Sequence, residues 1–316
     1  MGEFELIRQY FQPLADNARQ GQLILGPGDD CAIQRIPPGQ DLVFSVDTLV
    51  EGVHFPPNYP PEYLGWRSLA VAVSDLAAMG ADPVCFTLAL SLPCAEPEWL
   101  AGYSRGLARA SDAFGITLAG GDTTRGPLTL TLQVHGTVPK GMALRRSGAC
   151  VGDLVCVTGP LGDAGAALDF LGSPDPTGNE QAVLARYHYP EPRLALGKAL
   201  VGKASAAIDI SDGLLSDLQH ILDASEVGAE LDADRIPLSK ALVALKGRDA
   251  LTCALTAGDD YQLCVTIADE QLALMDLHVR EQLITIGRIQ AKPGLNVANT
   301  AQIGSRQGFD HFRRSD

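Results

Sequence analysis

Aspartates at the ends of apolar runs dominate the chemistry open to this chain. The glycine turn Gly26-Pro27-Gly28-Asp29-Asp30 precedes an apolar stretch, Leu42–Asp47, that ends in a hydroxyl and a carboxylate. Alternate side chains of a strand share a face, so Ser45 and Asp47 fall together with Val43, while Leu42, Phe44 and Val46 fall on the other side. Comparable acidic turns recur at Gly120-Gly121-Asp122, at Asp209-Ile210-Ser211-Asp212-Gly213 and at Gly258-Asp259-Asp260-Tyr261. Asp75 stands in the otherwise apolar run Leu69–Met79, with Ser74 its only polar neighbour there. A hydroxyl with several carboxylates and no lysine among them is a donor set for a hard divalent cation of the magnesium kind.

Ligands of open α/β folds collect at the carboxyl ends of strands, so these groups are expected to converge. Two like charges ~4 Å apart repel by roughly 1–4 kcal/mol at moderate effective dielectrics. Either the aspartates stay apart, then, or they bind more than one cation. A net charge of -14, from 24 basic and 38 acidic residues, argues against nucleic acid as a partner. An acidic protein still binds phosphates when metal ions stand between the negative groups. Arg145-Arg146, the basic spot near the acidic turns, offers a guanidinium clamp for a phosphate. No P-loop, kinase HRD and DFG pair, Rossmann fingerprint or GxSxG elbow is present. His54, just beyond the first acidic strand, reads equally as a core residue or a substrate contact.

The stretch MGEFELIRQYFQPL has amphipathic helical spacing, without the basic start and apolar core of a secretion signal. No apolar run reaches the ~18 residues of a membrane span. Pro60-Pro61-Glu62 opens, and Gly80 to Pro83 closes, a helix that is apolar nearly all round and so expected to be buried; Asp75 on it needs a partner. Val84–Leu92 reads as a strand, Glu98–Phe114 as an amphipathic helix, and Ile116–Ala119 as a short strand running into a glycine turn at Gly120–Thr124. Leu128–Val138 alternates as a half-buried strand. The basic, glycine-rich Pro139–Asp153 reads as a domain boundary.

Beyond it the pattern restarts. It predicts a strand at Leu154–Thr158, a turn at Gly159–Gly162, a helix from Asp163 through Leu171, a loop at Gly172–Asn179 and a helix opened by Glu191-Pro192-Arg193. In Ala206–Gly213 alternation sets Ile208 and Ile210 against Asp209 and Ser211, and strands follow at Gln262–Ile267 and Leu283–Ile289. The expectation is a mixed α/β protein of two domains, 1–138 and 139–316. Seven scattered cysteines, with no CxxC or zinc spacing, suit reduced thiols of a cytoplasmic protein.

The stretches GPGDDCA, SVDTLVEGVHF, SLAVAVSDLAAMGADP, LAGGDTT, RRSGACVGDLVCVTGPLG, AIDISDGLLSDL, GDDYQL and GFDHF follow one another along almost the whole chain. In that order they resemble the thiamine-monophosphate kinase family, within the superfamily of aminoimidazole-ribonucleotide synthetase, selenophosphate synthetase and the hydrogenase-maturation carbamoyl dehydratase. The resemblance implies a two-domain synthetase-like α/β fold whose N-terminal sheet completes a barrel across a homodimer. It also implies ATP-dependent, in-line phosphorylation of thiamine monophosphate to thiamine diphosphate with several Mg2+ ions. By position, Asp30, Ser45, Val46, Asp47, Asp75, Asp122, Asp209 and Asp212 match metal ligands, Val46 through its carbonyl, with Asp30, Asp47, Asp75, Asp122 and Asp209 acting in catalysis through the metal. Gly121, Asp122, Arg146 and Ser211 match nucleotide contacts, and His54, Asp259 and Phe309 the thiamine phosphate pocket. The family commonly has Glu at Asp259 and often Trp at Phe309; an acid and an aromatic face still suit a cationic heterocycle.

Two other readings stand beside this one. Among sibling enzymes, selenophosphate synthetases carry an early reactive Cys and Lys, whereas here the first Cys is Cys31, after the acidic turn, and the first Lys is Lys140. The carbamoyl dehydratase carries a C-terminal Cys, and this sequence ends RRSD. A synthetase of the aminoimidazole-ribonucleotide type fits on fold alone. A non-catalytic nucleotide-binding regulator would be signalled by loss of the metal aspartates, and all are present.

Overall fold

The computed structural model describes residues 3–16 and 22–299, and the chain divides into two compact units, Met1–Ala143 and Leu144–Asp316. The first unit opens with helical turns at Glu3–Leu6, Ile7–Phe11 and Gln12–Asp16, the middle one π-helical, and their amphipathic spacing buries Leu6, Tyr10, Phe11 and Leu14. Strands β1 (Leu23–Leu25) and β2 (Ile33–Gln34) pair on either side of the first acidic turn. Strands β3 (Gln40–Val50), β4 (Asp82–Leu92), β5 (Thr117–Arg125) and β6 (Thr129–Pro139) form a sheet in the order β3-β6-β4-β5. All its pairs are antiparallel except β4 with β5.

Two long helices accompany this sheet. Helix α1 (Pro61–Ala78) has proline at its first position, where no backbone donor is needed, and twelve buried residues, so the all-round apolar reading holds. Helix α2 (Pro97–Phe114) ends on Gly115 at φ 65°, the left-handed cap that glycine adopts without strain. The helices touch backbone to backbone: a Cβ on Gly65 would stand 2.2 Å from the Tyr103 carbonyl oxygen, and one on Gly106 2.0 Å from that of Glu62. Helix α1 packs on β3, β4 and β6, over the buried row Leu130, Leu132 and Val134.

Strand β3 keeps its expected alternation, and α1 covers its polar side. Leu42, Phe44 and Val46 are 40%, 62% and 59% exposed, while Ser45 and Asp47 face the helix layer. Strand β6 alternates as expected, Thr131, Gln133 and His135 lying on the open face beside Thr48, Val46 and Phe44. The predicted turn at Gly120–Thr124 is instead the continuation of β5. A register shift between Phe86 and Thr87 leaves Ala119 unpaired and brings Gly120 and Gly121 opposite Thr87 and Leu88, and a Cβ on Gly121 would sit 1.9 Å from the Leu88 carbonyl oxygen, so only glycine lets β5 close on β4 there.

The second unit is a six-stranded sheet with helices around it. Strands β7 (Leu154–Val157), β8 (Ala206–Asp209), β9 (Gly228–Asp232), β10 (Leu263–Ile267), β11 (Ile284–Gln290) and β12 (Gly294–Ala298) lie in the order β12-β9-β11-β7-β10-β8. Only β9 with β12 is parallel. Helix α3 (Gly178–His188) begins inside the stretch read as a loop, because Thr177 and Glu180 form a reciprocal capping box. Helix α4 (Leu214–Ser225) follows β8. Strand β8 ends at Asp209 with all four residues buried, so Asp209 does not share an exposed side with Ser211. Arg145 and Arg146 belong to this unit, the Arg145 carbonyl accepting from the Ala207 N–H at 2.8 Å.

Candidate active site

In the first unit, the helix-facing side of β3 meets the one carboxylate of α1's apolar stretch. The Ser45 hydroxyl donates to Asp75 Oδ2, and Asp47, two residues along, lies on the same face. Burial, and after it the Asp75 carboxylate, push the Asp47 carboxyl up to about 7. Two carboxylates and a hydroxyl drawn into one desolvated corner hold excess negative charge, the condition a hard cation relieves. Val46 points its side chain to the open face, so only its backbone could contribute a ligand.

Asp122 stands elsewhere. Its register partner Ala89 pairs with Thr131, and Thr131 with Thr48, which places Asp122 on the open face, opposite Ser45 and Asp47. There it lines a cavity of about 810 Å3 with Gly121, Asp29 and Asp30, closed by Ile7 and Phe11 of the N-terminal helical turns. Among the described residues no three Asp, Glu, His or Cys side chains are gathered as a ready-made metal cluster. Within the first unit, Asp29, Asp30 and Asp122 thus line the cavity, apart from the smaller set of Ser45, Asp47 and Asp75 on the helix-facing side of the sheet. Magnesium commonly binds through one or two carboxylates completed by water and phosphate oxygens, so this smaller set is still chemically suited to it. His54 closes the turn after β3, its Nδ1 accepting from the Val50 N–H at 3.0 Å, which leaves the neutral ring's proton on Nε2.

In the second unit β7 and β8 both run antiparallel to β10, so their carboxyl ends and the amino end of β10 meet at one edge. The turn Ile210–Gly213 leaves β8 there, with Ser211 exposed and Asp212 half-buried. It is strapped to the segment before β10: the Asp259 N–H donates to the Ser211 carbonyl at 2.8 Å and the Tyr261 N–H to the Ile210 carbonyl at 2.9 Å. Gly258, Asp259 and Tyr261 take φ of 74°, 65° and 48°, a strained path for the two non-glycine residues that the strap over-determines. A Cβ on Gly258 would lie 2.3 Å from the Ser211 carbonyl oxygen. Asp260 turns inward; its Oδ1 accepts from the Gly162 N–H at 2.8 Å and its buried Oδ2 has no partner, so burial raises its carboxyl well above the usual range. Arg146 is exposed, its carbonyl accepting from the Ser225 hydroxyl at 3.3 Å.

Sequence reasoning passed over Asp217. Its Oδ2 accepts from the Ser211, Asp212 and Gly213 N–H groups at 3.0, 3.0 and 3.1 Å, and the side chain is buried. Burial and the nearby Asp212 carboxylate push it up to about 7, against the pull of those three donors. The available signal was an aspartate on the apolar stripe of α4, between Leu214, Leu218 and Ile221. Phe309 lies outside the described residues.

The chain matches the AIR synthase related protein N-terminal domain over residues 28–138 and the C-terminal domain of the same family over residues 151–298. It is 43% identical over 323 residues to the thiamine-monophosphate kinase of Salmonella typhimurium, covering 98% of each chain. It is 32% identical over 330 residues to that of Bacillus subtilis, covering 99% of this chain and all of the relative. Its fold resembles the crystal structure of thiamine-monophosphate kinase from Stenotrophomonas maltophilia, with a TM-score of 0.86 and 42% identity over 94% of this chain and 97% of that one. It also resembles AaThiL complexed with AMPPCP and TMP, with a TM-score of 0.81 and 30% identity over 88% and 89% of the two chains.

Proposed function

The chain belongs to the thiamine-monophosphate kinase family of AIR synthase related proteins, and from that premise we propose that it phosphorylates thiamine monophosphate to thiamine diphosphate with ATP. The observation that carries the mechanism is the desolvated corner of Ser45, Asp47 and Asp75, where the Asp47 carboxyl is raised to about 7. Phosphoryl transfer asks the protein for in-line positioning and charge neutralisation more than for covalent chemistry. Magnesium, when bound, supplies that neutralisation to the phosphate oxygens.

In this reading Ser45, Asp47 and Asp75 hold metal, with the Val46 carbonyl beside them, and the Ser45 hydroxyl orients Asp75. Asp30 and Asp122 present acceptors to metal-bound nucleotide along their shared cavity, which Gly121 also lines. In the second unit Asp209 and Asp212 are further metal ligands, Ser211 and Arg146 bind nucleotide, and Asp259 contacts the thiamine moiety; in the first unit His54 is a substrate contact. The open face of the first unit's sheet, with Phe44 and Val46 exposed on its edge strand, is the surface through which a homodimer completes the sheet. The seven cysteines are free and no described helix is long and apolar enough to cross a membrane, which suits the cytoplasm.

The test is incubation of the purified protein with ATP and thiamine monophosphate, with Mg2+ or with EDTA, followed by separation of the thiamine phosphates. Thiamine diphosphate formed only with Mg2+ is expected. ATP binding without any diphosphate product would move the protein to a sibling synthetase reaction or to a regulatory role.

A further inference from the structure

We propose that Asp217 is the positioning residue for the Ser211–Gly213 turn, setting the Asp212 carboxylate and the Ser211 hydroxyl for metal-bound nucleotide; the inference deepens the function proposed above and rests on it. One carboxylate oxygen takes three consecutive backbone N–H groups, at 3.0, 3.0 and 3.1 Å. Consecutive amides rarely point to one place, and when they do they form a concave nest that draws an anion. Such nests commonly receive phosphate. Here the chain fills the nest itself, with a side chain from the first turn and a half of the helix that follows, where the helix N-terminus also favours negative charge.

The rest of the turn is held as completely. The Ile210 N–H donates to the Gln262 carbonyl at 2.8 Å, and the Ile210 and Ser211 carbonyls receive the Tyr261 and Asp259 N–H groups. Gly213, at φ 110°, leaves no space for a side chain, since a Cβ would meet the Thr256 backbone at 2.9 Å. With these backbone groups engaged, the side chains of Ser211 and Asp212 are what the turn offers outward. Charge-assisted hydrogen bonds are about twice as strong as neutral ones, so an amide in place of Asp217 keeps the shape and weakens the clamp. Rigid support of a ligand-bearing turn of this kind is what holds a liganding group in productive geometry.

The experiment uses the full chain, with Asp217→Asn as the near-isosteric variant and Asp212→Asn as the reference. Hydrogen exchange without metal or nucleotide reads the clamp directly: Asp217→Asn should speed exchange of the Ser211, Asp212 and Gly213 amides at least tenfold, with the β7 and β10 amides unchanged. Calorimetric titration with Mg2+ and a non-hydrolysable ATP analogue reads the consequence. Asp217→Asn should bind about tenfold more weakly, and the double variant should lose clearly less than the sum of the two single losses, because the share that Asp217 exerts through Asp212 is counted only once. Asp217→Glu, which restores the charge on a longer arm, should recover part of the loss. Additive losses in the double variant, or unchanged exchange in Asp217→Asn, overturn the proposal. A wild-type chain that binds no Mg–nucleotide refutes the proposed function instead, and the exchange rates then still decide whether the clamp exists.

Discussion

Replacing Asp47 with Asn should make the metal-free protein more stable while abolishing magnesium-dependent turnover. The folded-state carboxyl is raised from 3.8 to about 7, chiefly by burial and then by Asp75. Because the folded value is the higher one, the cost of Asp47 is absent below pH 3.8, grows as the unfolded carboxylate ionises, and is complete above pH 7. A displacement of roughly three pH units at ~1.36 kcal/mol each corresponds to about 4 kcal/mol. Residual exposure and the shared titration with Asp75 lower the expected gain to roughly 2–4 kcal/mol at pH 8. Urea unfolding in EDTA at pH 5 and pH 8 measures it, with the advantage of Asp47→Asn over wild type widening toward pH 8. Adding Mg2+ should then stabilise the wild type by mass action and leave the variant nearly unchanged. An Asp47→Asn protein that is no more stable than wild type at pH 8 in EDTA would refute the electrostatic argument. One that still converts thiamine monophosphate at the wild-type rate would refute the metal assignment.

Phe44→Glu places a charge on the open face at a residue 62% exposed, so sedimentation should show loss of the proposed homodimer while the unfolding free energy moves by only about 0.5 kcal/mol. A variant that remains dimeric, or a wild type that is monomeric, would remove this face as the interface. Asp260→Asn keeps the acceptor for the Gly162 N–H and removes the group whose carboxyl burial raises. Its melting temperature should match wild type near pH 3.5 and exceed it increasingly as pH rises; a difference from wild type that does not change with pH would show that burial does not shift the Asp260 carboxyl, and a variant increasingly less stable than wild type as pH rises would show that the fold holds it ionised.

The placement of the residues around Ser45, Asp47 and Asp75 was legible in the chain because strand alternation and helical periodicity are local rules. They put Ser45 with Asp47, made Leu69–Met79 too apolar for anything but a buried helix around Asp75, and set Leu130, Leu132 and Val134 on one side of β6. The ordered motifs, read together, identified the family. Alternation is silent, however, about which of two faces is covered, since the same pattern serves either. Apolar Leu42, Phe44 and Val46 suggest the buried face by composition, yet α1 packs on the other and desolvates Asp47.

Gly120-Gly121 shows the same limit at shorter range, because glycine permits both a turn and a strand, and pairing with β4 decides for the strand. That choice carries Asp122 to the face opposite Asp47. Asp217 is the clearest case. Its place on the apolar stripe of α4 follows from spacing, but three amides converging on one oxygen requires a turn whose carbonyls are strapped to residues some fifty positions away, a geometry that exists only once the chain has folded.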